Sequence, residues 1–309
     1  MKDIFFCILP IFIITLMGSG IRRYWLTSDE FWRGLEKLSY YLLFPAVLFN
    51  YISRAEISSG SLISIVVALI ISTLIVSSGL VIYQRNTDSD KAEFTSVFQG
   101  AVRYNSYIFF ALGSSLYGDE GLAVVSVISA YMIVFTNVIS VLAMNSYIRR
   151  ENSNTYMDAA YDFFLSFASN PLIVASILGF LVNYADIEIN IGISKALQSL
   201  SDAALAMGLI NVGAGLKFDF GSRYFNQIAF TSIVKLLILP LVAASVLKVS
   251  MISGIPRAVA ILYSALPCAS SAYILSKQLG GDADLMASII TATTLLSVLS
   301  ISLVVFFIV

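Results

Sequence analysis

Apolar residues in this chain come in long runs. Ten stretches, roughly 4–20, 35–53, 59–83, 95–115, 121–148, 161–184, 194–215, 227–248, 257–278 and 285–308, are almost wholly apolar. Short polar connections separate them, such as Gln84-Arg85-Asn86-Thr87-Asp88-Ser89-Asp90-Lys91 and Arg149-Arg150-Glu151-Asn152-Ser153-Asn154. About 20 apolar residues carry a helix across a bilayer core, so the pattern predicts ten membrane spans joined by loops too short to fold alone. The first run begins directly behind Lys2 and ends without a small-residue cleavage site, which reads as a retained helix and not a signal peptide.

Composition agrees with the pattern. Of 309 residues, 58% are hydrophobic and 12% charged, with a mean hydropathy of +0.88. Such a chain is an all-α integral membrane protein with no soluble domain of any size. Lys and Arg number 18 against 19 Asp and Glu, with no basic block, so nucleic acid has no surface to bind. Histidine is absent, which removes His-based acid–base chemistry and His metal ligation together. Cys7 and Cys268 lie far apart in apolar stretches, so neither a disulfide framework nor a metal site is expected.

The placement of the cations predicts topology. Loops after odd-numbered spans hold eleven of them: Arg22, Arg23, Arg33, Lys37, Arg85, Lys91, Arg149, Arg150, Lys217, Arg223 and Lys277. The opposite side holds five, Lys2, Arg54, Lys195, Lys248 and Arg257. The positive-inside rule then puts the odd loops in the cytoplasm and both termini outside it. Arg103 and Lys235 fall within spans.

An internal repeat organises the chain. Segment 112–122 matches segment 275–285 at Leu112/Leu275, Leu116/Leu279, Gly118/Gly281, Asp119/Asp282 and Leu122/Leu285, an offset of 163. At a nearby offset of 161, Pro10 aligns with Pro171 and Gly18 with Gly179. The expected halves are residues 1–155 and 156–309, each of five helices. Five is odd, so the second half enters the membrane inverted, as in many secondary transporters whose substrate sits at the midplane between the halves. A plainer account makes each Gly-Asp a shared helix stop and start signal.

Spans 4 and 9 carry the unusual chemistry. Span 4 holds Arg103-Tyr104-Asn105-Ser106-Tyr107, and the corresponding part of span 9 holds Pro267-Cys268-Ala269-Ser270. Pro267 removes a backbone hydrogen bond, and the small residues after it admit another backbone, which predicts breaks near 103–107 and 266–270. A broken helix exposes a half-helix N-terminus that attracts an anion. The candidate substrate-binding set is therefore Arg103, Asn105, Ser106, Tyr107, Pro267, Cys268, Ala269 and Ser270. Plainer readings stand beside it: a packed proline kink, an interhelical amide bond, and an Arg103 that snorkels or pairs with an acid. Asp202 reads either as a proton or cation site or as the ion-pair partner of Arg103 or Lys235. Lys235 reads as a second pathway cation or a snorkelling one.

These residues also carry a resemblance. Ile8-Leu9-Pro10-Ile11-Phe12, Tyr40-Tyr41-Leu42-Leu43-Phe44-Pro45-Ala46, Arg103-Tyr104-Asn105, Leu116-Tyr117-Gly118, Asn137-Val138-Ile139-Ser140, Lys235-Leu236-Leu237-Ile238-Leu239-Pro240, Ala265-Leu266-Pro267 and Thr293-Thr294-Leu295-Leu296-Ser297 stand in an order and spacing similar to the auxin efflux carrier family. That family includes plant auxin carriers and bacterial permeases described as malate or malonate transporters, and its fold is related to that of bile acid sodium symporters. The resemblance implies ten helices in two inverted repeats, external termini, helices 4 and 9 crossing at the substrate, and Asn105 as the contact to a substrate carboxylate. The chain departs from plant relatives in lacking a proline in span 4, an Asn after Pro267 and a long central loop, which argues against auxin and for a prokaryotic relative.

The expected function is a secondary transporter that moves a small organic anion, a mono- or dicarboxylate, by alternating access in a bacterial inner membrane. Its expected partners are that anion and the lipid bilayer, with H+ or Na+ a candidate coupling ion and a homodimer a candidate assembly. No cofactor is expected. Two other classes compete: a transporter-like sensor, and an intramembrane aspartyl protease suggested by Tyr161-Asp162 and Leu279-Gly280-Gly281-Asp282. Helix N-capping accounts for these aspartates more simply.

Overall fold

The computed structural model describes residues 2–54, 60–87, 89–148, 171–218, 222–250 and 252–307. Tyr161 and Asp162 lie outside the described residues. The described residues are 87% helical, and no strand occurs among them. Its helices are α1 (Lys2–Tyr24), α2 (Asp29–Leu38), α3 (Phe44–Ile52), α4 (Gly60–Thr87), α5 (Lys91–Val102), α6 (Ser106–Tyr147), α7 (Pro171–Tyr184), α8 (Ile191–Ala214), α9 (Phe225–Ile233), α10 (Leu239–Val249), α11 (Gly254–Ser264), α12 (Ala272–Leu279) and α13 (Ala283–Phe307). Single π turns, Ser39–Leu43 and Val234–Ile238, join α2 to α3 and α9 to α10. Among the described residues, four helical runs are long and apolar enough to cross a membrane: Leu62–Thr87, Lys91–Tyr147, Phe225–Val249 and Ala283–Phe307.

Polar signals set the helix starts. Ser28, Asp90, Asn105, Asn190 and Asp282 each accept a backbone N–H two or three residues on, from Phe31, Glu93, Ile108, Gly192 and Leu285 respectively. Each bond satisfies a donor that a helix start leaves free. The stretch after span 1, expected as a loop, is partly helix: Arg33 and Lys37 lie on α2, which runs through a π turn into α3. Between spans 4 and 5 the loop shrinks to one residue. Gly118 takes φ 59°, ψ −146°, and the chain doubles back so tightly that a Cβ on Gly121 would lie 2.6 Å from the Gly113 carbonyl oxygen. Only glycine adopts that conformation without strain.

Two packing units result. In the first, α1 lies against α8 with backbones nearly touching, since a Cβ on Gly213 would sit 1.6 Å from the Thr15 carbonyl oxygen and one on Gly18 would sit 2.1 Å from that of Ile210. Small residues allow this approach where lipid offers no hydrophobic drive between helices. Helix α3 packs on α7 beside it, with the Asn183 amide donating to the Ser53 carbonyl oxygen at 3.1 Å. In the second unit, α4, α5, α9 and α13 share a cluster that includes Val76, Phe94, Phe98, Ile228, Leu285 and Met286. Polar bonds pin one end of it: Arg223 and Gln227 donate to Glu93, and the Tyr224 hydroxyl donates to Asp282.

Candidate functional site

Both expected breaks are present. Helix α5 stops at Val102, and Arg103 turns to extended backbone at φ −78°, ψ 152°. Residues 103–105 are non-helical before α6 starts at Ser106. On the other chain segment, α11 stops at Ser264 and α12 begins at Ala272. Pro267 has no N–H to continue the first helix.

The breaks touch. The Asn105 N–H donates to the Pro267 carbonyl oxygen at 2.9 Å, a main-chain bond between segments that have both left the helix. The Cys268 N–H donates to Thr293 Oγ1 of α13 at 3.2 Å. Backbone groups freed by the breaks thus find partners inside protein, the condition under which non-helical backbone survives at membrane depth.

The side chains at the crossing are buried, polar and incompletely paired. Asn105 is 1% exposed. Its Oδ1 accepts the Ile108 N–H at 3.2 Å as the cap of α6, which leaves Nδ2 without a partner. Arg103 is 7% exposed and donates to Gln99 Oε1 at 3.3 Å and Ser271 Oγ at 3.0 Å. Gln99 is steered by its own bond to Ser276 Oγ at 3.0 Å. Lys235 comes from the π turn before α10, is wholly buried, and its Nζ has no hydrogen-bond partner. The π turn that carries Lys235 packs on α5, the helix that ends just before Arg103, and on α13, whose Thr293 receives the Cys268 N–H.

These positions correct three expectations. Lys235 does not snorkel, because the π turn rotates its side chain into the protein. Arg103 is buried and pairs with no described acid. Among the described residues the ion pairs are Arg22–Asp29 and Arg223–Glu93, so no described carboxylate lies within 4.0 Å of either buried cation. Asp202, expected as a possible partner for them, is exposed on α8 and accepts from Gln198 Nε2 at 3.0 Å.

The other expected residues divide. Cys268 and Ala269 are buried in the crossing, while Ser106 and Ser270 are half-buried at its margin. Tyr107 leaves the crossing for the first packing unit: its ring stands edge-on to Phe44 at 4.4 Å and fills the space that a Cβ on Gly208 would need. Gln99, Ser271 and Thr293 complete the site without having been singled out. Gln99 stands four residues before Arg103 on one helix face, which is the signal that identifies it.

Residues 3–305 match the family described as membrane transport protein, so the chain belongs to that family, the auxin efflux carrier group its motifs resemble. A relative from Methanothermobacter thermautotrophicus, called an uncharacterized transporter, is 26% identical over 303 residues, covering 96% of this chain and 95% of the relative. Family and apolar helices together make this a multi-pass membrane transporter.

Proposed function

We propose that the protein is a secondary transporter that carries a small organic anion, a mono- or dicarboxylate, through the crossing of its two broken helices. One observation carries the reading. The Lys235 ammonium and the Asn105 amide are both buried without hydrogen-bond partners, and no described acid neutralises Arg103. A buried ion without a counter-charge costs several kcal/mol and an unpaired amide about 1–3 kcal/mol, so both are worth retaining only for a ligand that satisfies them. A carboxylate accepts from Asn105 Nδ2 and Lys235 Nζ and balances the cations. Ser106 and Ser270, half-buried at the margin of the crossing, flank it.

The same reading makes residues 1–155 and 156–309 inverted repeats around the crossing. Helices α5 and α11 begin 163 residues apart, at Lys91 and Gly254, the offset that pairs Gly118 with Gly281. Alternating access then moves the unit bearing the crossing against the α1–α3–α7–α8 unit. The cation count supports external termini in a bacterial inner membrane. Uptake of labelled mono- and dicarboxylates into proteoliposomes tests the reading, with loss expected in Lys235→Met. Equal uptake by that variant would refute it.

A further inference from the structure

A second polar site lies apart from the crossing. A cavity of about 160 Å³ is lined by Asn50 and Tyr51 of α3, the adjoining Arg54, Asp119 and Ala123 beyond the Gly118 turn, and Gln198 of α8. Gln198 orders it. Its Nε2 donates to Asp202 Oδ1 at 3.0 Å and to the Tyr51 hydroxyl at 3.3 Å, which leaves Oε1 to accept from Asn50 Nδ2 at 2.9 Å. Turning the Gln198 amide over would set its carbonyl against the Asp202 carboxylate, so the carboxylate dictates both amide orientations.

The consequence falls on Asn50 Oδ1. Asn50 is 1% exposed, lines the cavity, and its carbonyl oxygen has no donor. Arg54 directs Nη2 elsewhere, to Ser194 Oγ at 2.5 Å. A buried acceptor without a donor is costly, and its natural complement is an electron-poor ligand. An anion would meet this carbonyl and the Asp119 carboxylate together. A hard cation prefers such oxygens. The lining holds one carboxylate against one guanidinium, with Asp202 one hydrogen bond away, a balance that suits a single positive charge.

We propose that this cavity binds a monovalent alkali cation of the sodium class through Asn50 Oδ1, the Asp119 carboxylate and the Tyr51 hydroxyl oxygen, with water completing its shell. The site is distinct from the anion site, yet both meet α6, which carries Asn105 at its N-cap and Asp119 just past its turn. Cation occupancy thereby fixes the far end of the half-helix that presents the amide to the substrate. That coupling rests on the transport reading above; the binding does not.

The test measures radioactive sodium binding to the purified protein in nanodiscs alongside carboxylate uptake in proteoliposomes. Saturable sodium binding is expected, weakened about 10-fold or more in Asp119→Asn, a change at an exposed position, and retained in Asn50→Asp, which keeps an oxygen at the cavity. Asn105→Ala should lose carboxylate affinity and keep sodium affinity. Absence of sodium binding in the unaltered protein, undiminished binding in Asp119→Asn, or calcium displacing sodium at far lower concentration would each overturn the site. Sodium binding that follows this pattern without carboxylate uptake keeps the site and removes the transport reading instead.

Discussion

The main chain of Asn105 donates to the main chain of Pro267 at 2.9 Å, while the Asn105 side chain caps α6 with one atom and holds the other unpaired. One residue therefore ties the two breaks together, starts a half-helix and leaves a donor free. These roles separate by substitution.

Asn105→Asp keeps the capping oxygen and exchanges the unpaired donor for an acceptor. Its thermal stability should stay close to that of the unaltered protein, while carboxylate binding falls by 100-fold or more, on the order of 3 kcal/mol, since a donor to a charged group becomes a repelling oxygen. Asn105→Ala should weaken binding about 10- to 100-fold and cost ~1 kcal/mol from the lost cap. Calorimetric titration and thermal unfolding of both variants check this.

Lys235→Met removes a wholly buried ammonium that has no partner. Relief of that desolvation should leave the apparent Tm unchanged or higher while anion binding is lost. A fall in Tm together with retained binding would mean that Lys235 is structural.

Gly213→Ala should be severely destabilising, by more than about 2 kcal/mol, because its Cβ would land 1.6 Å from the Thr15 carbonyl oxygen and two backbones would have to part. Gly20→Ala, on the facing helix α1 but with nothing within 4 Å of its Cβ, should be neutral or slightly stabilising. Yield of monodisperse protein and Tm compare the two.

Both termini are expected outside the cytoplasm. Tags joined at residue 1 and residue 309 should react with a membrane-impermeant reagent in intact cells. Protection of both would reverse the orientation.

The breaks were legible from sequence because each leaves a chemical mark in an apolar run: a proline with small residues after it at Pro267, and a charge with an amide at Arg103 and Asn105. Depth was legible and rotation was not. Lys235 reads from its position as a residue near enough to a membrane surface to snorkel, but the π turn Val234–Ile238 ahead of Pro240 turns it wholly inward. Asp202 is deep by position and exposed in fact, bonded along its own helix face to Gln198. The π turns themselves leave no periodic signal in runs where nearly all residues are apolar. The paired polar positions Asn50 and Gln198 were open to the same reasoning as Asn105, since each is an amide within an apolar span.

The central claim is that the two buried cations and the free Asn105 amide hold a carboxylate. Equilibrium titration of the purified protein with small mono- and dicarboxylates, run in parallel on Asn105→Asp and Lys235→Met, tests it most directly. The account predicts saturable binding of at least one carboxylate by the unaltered protein and a loss of at least about 10-fold in each variant, with both still folded. Carboxylate binding of undiminished affinity in both variants would contradict it.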